Sequence, residues 1–491
     1  MTAAVESLDF DTIVVGAGIS GINAGYRLQD GIPGHNYTIL ESRGGIGGTW
    51  DFFKYPGIRS DSDLQTFGFA WRPWEADKSI ADGASIVKYV KESAAMYGID
   101  KKVRFHHKML SANWSTEQQK WCLDVEANGK VSKYYANFII MSTGYYDYNE
   151  PLQTVITGLE NFKGTIVHPQ FWPEDLDYTG KRMVIIGSGA TSVTLLPILA
   201  QKAAHVTMLQ RSPGYILNQP GTDNLGRICR FLHLPQSWTF ALVRYKYLIL
   251  PFLFFRFCRA YPNLARKILR ARTTAELPKN INHDPHFSPK YNPWEERLCV
   301  APDGDFYKAL RDGNADIATS LITGMSNSTI SLENGQKLDA DIIVTATGLK
   351  MMFAGGSSIT VDGNKPVNLG DRFLWKGTMI EGVPNCSFVL GYTNASWTLG
   401  ADATALHTVR MIKYLKNNAY GSMTPTVPAG KVMKDVPVLN LRSTYVTKAV
   451  GVLPKAAEAA PWQPRSSYFT DIKEARTGDM TLDMTFAPIR A

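Results

Sequence analysis

Hydrophobic positions along this chain fall into two similar runs. The first opens with "DTIVVGAGISGINAGYRLQ", where the apolar stretch Ile13 to Val15 ends at Gly16 and small residues begin a helix-period pattern. That order predicts a strand, a glycine turn and a helix. "YTILE" (37–41) predicts a second strand, ending on an acid. "KWCLDVEANGKVSKYYANFIIMSTG" predicts strands around an Asn128-Gly129 hairpin, then a buried strand ending at Gly144. The second run repeats the design in "KRMVIIGSGATSVTLLPILAQ", "HVTMLQRS" and "ISLENGQKLDADIIVTATG", again with an Asn-Gly hairpin before a strand ending in Thr-Gly. Such a repeat predicts an α/β chain with two Rossmann-like dinucleotide-binding domains.

Residues 214–290 break the pattern and predict a helical insertion. The predicted organisation is a first domain built from 1–145 and 347–491, and a second from 146–213 and 291–346. From Trp238 to Arg272 the insertion carries eight Lys/Arg and no Asp/Glu, interleaved with aromatic and aliphatic residues. That composition fits a helical subdomain packed on the second domain, or a basic amphipathic patch making peripheral contact with a membrane surface. Its longest uncharged stretch, Tyr247 to Phe255, is interrupted by Pro251 and falls short of the roughly 20 apolar residues a transmembrane helix needs. No membrane span is therefore expected.

Composition narrows the classes further. Hydrophobic residues at 44% and charged residues at 20% in 491 positions are ordinary for a globular protein. A net charge of +8 is modest at this length and gives no reason to expect a nucleic-acid partner. The five cysteines are scattered without a Cys-x-x-Cys pair, which argues against a disulfide framework, a zinc site and a dithiol reductase. No basic segment followed by an apolar run precedes the first strand, so a reduced, cytoplasmic protein is expected.

The chemistry-bearing motifs sit at the strand ends. Gly16-x-Gly18-x-x-Gly21 follows a strand and opens a helix: one glycine for the tight turn, one for backbone approach to a pyrophosphate, one for helix–strand packing. Glu41 closes the next strand, where a carboxylate can accept from ribose hydroxyls. In the second run Gly187-x-Gly189-x-x-Ser192 replaces the third glycine with another small residue. There the following strand ends on Arg211-Ser212, which suits a 2′-phosphate through charge-assisted hydrogen bonds, or is simply a solvated surface pair. An acidic and a basic ribose position imply two cofactors, FAD in the first domain and NADPH in the second. "GGTWDFFKYPGIRSD" (47–61) offers glycines for backbone passage beside a flavin and Trp50 and Tyr55 to pack near its ring. Its charges, Arg59 and Asp61, lie in a segment otherwise suited to burial.

With these motifs the chain resembles the class B flavoprotein monooxygenases of the flavin-containing monooxygenase superfamily, specifically the Baeyer–Villiger monooxygenases. "FKGTIVHPQFWP" matches the family fingerprint at Phe162, Gly164, His168, Trp172 and Pro173. "GGTWDFFKYPGIRSD" matches a second family pattern. "HFSPKYNPWEERLCVAPDGDFYKAL" and "GYTNASWTLGADA" resemble a subgroup of ketone- and thioamide-oxidising enzymes.

The resemblance implies an NADPH- and O₂-dependent enzyme that converts ketones to esters or lactones through a C4a-peroxyflavin, with sulfoxidation as a side activity. A small-molecule ketone or sulfide is then the expected substrate. The alternative is a flavin monooxygenase acting mainly on amine nitrogen or sulfide sulfur. The family motif places a charge-stabilising arginine at Arg297, with Asp61 as its acidic neighbour. By resemblance Arg59, Ser60 and Asp61 face NADP⁺, and Ser188, Gly189, Ala190, Thr191 and Ser192 cradle its pyrophosphate. Ser20, Glu41, Gly48, Thr49, Trp50 and the backbone of Met109 carry over to the flavin side. His168 is expected to couple the domains within an interdomain crossing that forms no regular ladder. Glu296 stands where many family members have lysine, leaving more of the NADPH phosphate contact to Arg211.

Overall fold

A computed structural model describes residues 8–439 and 443–490. The first seven residues, over which no leader was expected, lie outside that range. The first run folds as β1 (Asp9–Val15), α1 (Ile19–Gly31), β2 (Tyr37–Leu40), β3 (His107–Ser115), β4 (Lys120–Ala127) and β5 (Lys130–Met141). β1 lies between β2 and β5 and runs parallel to both, with Val15 level with Leu40 and with Met141. Ile13 and Val14 are fully buried, as expected of an apolar run enclosed on both sheet faces. The Asn128-Gly129 turn carries φ of +51° and +75°, the left-handed pair that a tight hairpin of this twist requires.

The second run supplies β6 (Thr165–Val167), β7 (Arg182–Ile186), α2 (Ala190–Leu199) and β8 (His205–Gln210). Three helices follow: α3 (Asn224–Phe231), α4 (Gln236–Ala260) and α5 (Pro262–Glu276). β9 (Ala315–Thr319) and β10 (Ile342–Thr345) complete an all-parallel sheet of order β9-β8-β7-β10-β6. The chain then returns to the first sheet: β11 (Cys386–Phe388) pairs with β5, and α6 (Trp397–Asn417) packs on α1.

The two glycine turns share one geometry. Gly16 has φ +103°, and a Cβ there would lie 2.7 Å from the Ser142 carbonyl oxygen at the end of β5. Gly187 has φ +140°, and its Cβ would lie 2.2 Å from the Ala346 carbonyl oxygen just past β10. In both halves the strand after the hairpin closes over the first glycine, which is the physical content of the internal repeat.

Two expectations need correction. The fingerprint segment does form a ladder: Thr165–Val167 is an edge strand, with Ile342, Ile343 and Val344 of β10 as its partners. Gly164 makes this pairing feasible, because a Cβ would lie 2.4 Å from the Asp341 carbonyl oxygen and 2.6 Å from the Phe162 ring. The second correction concerns α4, which continues through Pro251 for 25 residues and is long and apolar enough by length and composition to cross a membrane. Counting only uncharged positions missed this, because two of the four charges inside α4, Arg244 and Lys246, turn back to the protein, while Arg256 and Arg259 near its end are exposed. Arg244 donates to the Gln65 and Gly68 carbonyl oxygens at 2.5 and 3.3 Å, and Lys246 pairs with Asp223. A proline removes one N–H from a helix but leaves the remaining ladder available.

Candidate functional site

A cavity of about 650 Å³ opens at the carboxyl ends of β1 and β2, where α1 begins. Gly16, Gly18, Ser20, Glu41, Gly48, Thr49, Trp50 and Met109, expected on the flavin side, line it with Tyr55, with Arg59, Ser60 and Asp61, expected to face NADP⁺, and with Ala190 and Arg297. Gly21 stands behind the cavity wall, where a Cβ would lie 1.8 Å from the Gly16 carbonyl oxygen. That contact lets α1 start directly against the turn, with its first N–H groups facing the cavity. Glu41 is buried at the end of β2, accepting the Ala17 N–H at 2.8 Å and the Arg43 N–H at 2.9 Å. The 47–50 segment closes the opposite side, with Gly48 at φ +55° and its Cβ position 2.9 Å from the Gly18 Cα. A dinucleotide fits this cradle: glycine backbone on two sides, a helix start, and a fixed carboxylate at the next strand end.

A second cavity, of about 540 Å³, adjoins the first. Asp61, Ser62, Arg297 and Ala395 line both, so these residues mark the seam. Its far wall is apolar: Tyr247, Pro251, Phe254 and Phe255 from α4, with Trp294 and Phe469. Arg297 is exposed to the cavities and donates to the Tyr392 carbonyl oxygen at 2.8 Å. Burial pushes the Asp61 carboxyl up to about 6, against the opposing pull of Arg59 and Arg297. Arg59 itself forms an ion pair with Asp305 and reaches the Val300 carbonyl oxygen at 3.4 Å. Burial also raises the Tyr55 phenol far above its usual range while Thr191 hydrogen-bonds it, tying the 47–61 segment to the start of α2.

The second glycine loop is arranged differently. A Cβ at Gly189 would meet nothing within 4 Å, so this loop faces open space. Ser192 is buried, and its hydroxyl has no hydrogen-bond partner among the described residues. Ser188 donates to the Ser212 carbonyl oxygen at 2.9 Å, holding the end of β8 beside the loop, and Arg211 is exposed there. Of this second group only Ala190 reaches the first cavity.

The fingerprint residues pack rather than line either cavity. Phe162 is buried beside Val184 and Leu209, and Trp172 beside Met183 and Leu196. Pro173 follows Trp172 directly, outside any helix or strand. His168 accepts the Gln170 N–H through Nδ1 at 3.2 Å, capping the short turn Pro169–Phe171. Its Nε2 is buried with no partner among the described residues, and burial lowers its basicity.

Several cavity residues escaped the sequence reading. Tyr145, Tyr146 and Tyr148 follow the Thr143-Gly144 end of β5 and line the first cavity, with the Tyr148 hydroxyl 2.9 Å from Thr49 Oγ1. An aromatic run directly after a strand end was the available signal. Trp397 donates from its indole to Ser20 Oγ at 2.9 Å and packs on Tyr145 at 4.8 Å. Asp305 had no such signal, because its partner Arg59 lies far away in the sequence.

The family model described as "Flavin-binding monooxygenase-like" matches residues 11–225. The chain is 43% identical over 470 residues to the FAD-containing monooxygenase EthA of Mycobacterium tuberculosis (strain CDC 1551 / Oshkosh), covering 95% of each chain. It is 41% identical over 477 residues to the probable FAD-binding monooxygenase AlmA of Acinetobacter baylyi (strain ATCC 33305 / BD413 / ADP1), covering 96% of this chain and 95% of that one. Its fold is similar to that of an oxidised steroid monooxygenase bound to NADP, with TM-score 0.73, 20% identity, and 98% and 100% of the two chains covered. It is also similar to an open crystal structure of cyclohexanone monooxygenase, with TM-score 0.70, 19% identity, and 85% and 90% covered.

Proposed function

This chain belongs to the flavin-binding monooxygenase family, and from that premise we propose that it is an FAD-containing, NADPH- and O₂-dependent Baeyer–Villiger monooxygenase that converts ketones to esters or lactones. The observation that carries the reading is the seam: a dinucleotide-sized cradle and an apolar pocket share Arg297 and Asp61. When bound, FAD accepts hydride from NADPH and supplies the O₂-activating chemistry. In this reading Gly16, Gly18, Ser20, Glu41, Gly48, Thr49, Trp50 and Met109 hold FAD. Gly187 to Ser192, Arg211 and Ser212 hold the NADPH phosphates, and Tyr55, Arg59, Ser60 and Asp61 lie between the two cofactors.

Arg297 is a permanent cation facing both cavities. It is placed to stabilise negative charge as it develops on the carbonyl oxygen of a bound ketone. Asp61, when ionised, offsets both Arg59 and Arg297, and Asp305 adds a second acid beside Arg59. The aromatic wall from α4 keeps water from the substrate and accepts an apolar body without directional demands. Sulfoxidation is the expected side activity, since a soft sulfur atom fits the same pocket.

The test is product identification by mass spectrometry after incubating the holoenzyme with NADPH, O₂ and a panel of linear and cyclic ketones, sulfides and tertiary amines. Esters or lactones from ketones are expected. Sulfoxides or N-oxides with no ester from any ketone would instead favour heteroatom oxidation.

A further inference from the structure

The face of the insertion that points away from the cavities has no role in the site described so far. On α4 the side chains of Trp238, Leu242, Tyr245, Ile249 and Leu253 are all exposed, Trp238 at 64%. Their spacing of four, three, four and four residues puts them in one stripe along the helix. The opposite side of α4 is committed to the protein: Thr239, Val243 and Cys258 are buried, and Tyr247, Pro251 and Phe254 form the cavity wall. The helices packed against α4 add to the exposed apolar surface, with Ile228 and Phe231 on α3, the latter 81% exposed, and Leu264 and Ile268 on α5. A surface of this size on a water-soluble face costs solubility unless something covers it.

Charge identifies the covering surface. Between Asn224 and Ala275 there are ten Lys/Arg and no Asp/Glu, more than the whole chain's excess of eight. Arg256 continues the α4 stripe by one turn, and Arg227, Arg259 and Lys267 are also exposed on these three helices. Arg230 and Arg270 pair with Asp77 and Asp284, and Arg244 and Lys246 turn inward. Arg227, Arg256, Arg259 and Lys267 flank the apolar side chains, a pattern that matches a lipid surface carrying negative headgroups. The basic side chains can extend to the phosphates while their stems follow the apolar face. A transmembrane crossing by α4 does not fit, because leaving the protein would strand Arg244 and Lys246 and remove a wall of the 540 Å³ cavity.

We propose that the α3–α5 face docks on an anionic lipid bilayer and sets the mouth of the substrate cavity at that surface. Leu250 and Phe469 are both exposed and line the cavity, so its rim lies beside the docking stripe. Substrates would enter from the lipid phase, which selects ketones or sulfides with long apolar chains. Docking itself does not depend on the reaction, while the substrate preference rests on the proposed oxygenation of ketones.

Flotation of the purified holoenzyme with vesicles tests docking without any turnover. With mixed phosphatidylcholine–phosphatidylglycerol vesicles at low salt the protein is expected to float, and raising the salt should release it. With phosphatidylcholine alone the bound fraction should be far smaller. The L242E/Y245E/L253E variant should lose at least about tenfold of its binding, since carboxylates enter the apolar stripe. R256Q/R259Q/K267Q should weaken anionic binding by about fivefold per charge removed. None of these six residues lines a cavity, so flavin content and turnover of a small water-soluble ketone should be unchanged in both variants. Protein that stays at the bottom of the gradient with both vesicle types would overturn the proposal, as would a stripe variant that floats like the parent. Self-association that the stripe variant abolishes, in a parent that does not float, would assign the face to a second copy of this chain and also overturn it. Flotation without ester formation would leave docking standing and remove only the substrate preference.

Discussion

The two glycine loops share a first glycine pressed under a strand-end carbonyl, yet the rest of each loop is built for different company. In the first, Gly21 has backbone 1.8 Å from its Cβ position and Gly48 lies against Gly18, so the loop is enclosed on two sides. In the second, the third glycine is Ser192 and the space around Gly189 is open. The next strand ends on a buried, doubly bonded Glu41 in one half and on an exposed Arg211 in the other. Enclosure suits a cofactor that stays through many turnovers, and openness suits one that must enter and leave each time. The same strand–turn–helix unit can thus serve a resident and an exchanging dinucleotide, and the difference lies in what packs around the loop.

Substitutions at matched positions can break or sharpen this contrast. The largest effect is expected from Gly21→Ala, whose added methyl meets backbone and cannot be accommodated by a rotamer change. A loss of about 3 kcal/mol or more is expected, read as a lowered melting temperature and loss of the 450 nm flavin absorbance per mole of protein. Retention of full flavin would show that the first loop is less enclosed than its geometry says.

Arg297→Ala acts at the seam between the dinucleotide cradle and the apolar pocket. Product formation should fall by roughly 10²–10³ while NADPH-driven flavin bleaching under nitrogen persists. Ester formation at the parental rate would remove Arg297 from the chemistry. For Arg211→Ala, loss of a charge-assisted contact should raise the KM for NADPH by about 10- to 100-fold, with little change for NADH. An unchanged NADPH to NADH ratio would mean that the open loop reads no 2′-phosphate.

The smallest effect is a change in pH dependence. Burial holds the Asp61 carboxyl at about 6 rather than its usual 3.8, so between those values the folded protein binds a proton that the unfolded chain has released. Stability therefore falls as pH rises through that window, and Asp61→Asn should not lower the melting temperature at pH 7. Activity should run the other way: the parent loses the carboxylate facing Arg297 as pH drops through about 6, giving an acid limb in kcat/KM. Asp61→Asn should flatten that limb, and a limb that survives unchanged would place the titrating group elsewhere.

Much of this arrangement was legible in the residues, because glycine turns, strand ends and Asn-Gly hairpins are local signals with steric causes. Gly16, Gly187 and Asn128-Gly129 each adopt the positive φ that their contexts predicted. Contacts between distant segments were not legible. The Arg59–Asp305 pair, the Trp397–Ser20 bond and the aromatic wall of α4 depend on packing between segments that no spacing rule connects. The uncharged stretch Tyr247 to Phe255 understated the apolar extent of α4 for the same reason, since the partners that absorb Arg244 and Lys246 come from residues 65–68 and 223. The fingerprint around His168 was legible as a pattern but not as a role. Its residues set an edge strand and a core, and none of them lines the seam beside Arg297 where we propose the chemistry.

The most direct test follows the oxygen atom. A purified holoenzyme given NADPH, ¹⁸O₂ and a ketone that it turns over should yield an ester carrying one ¹⁸O atom, in the ring or chain position beside the carbonyl, with one NADPH consumed per ester. Ester without the label, or NADPH consumed across the whole ketone panel with no ester at all, would contradict the account.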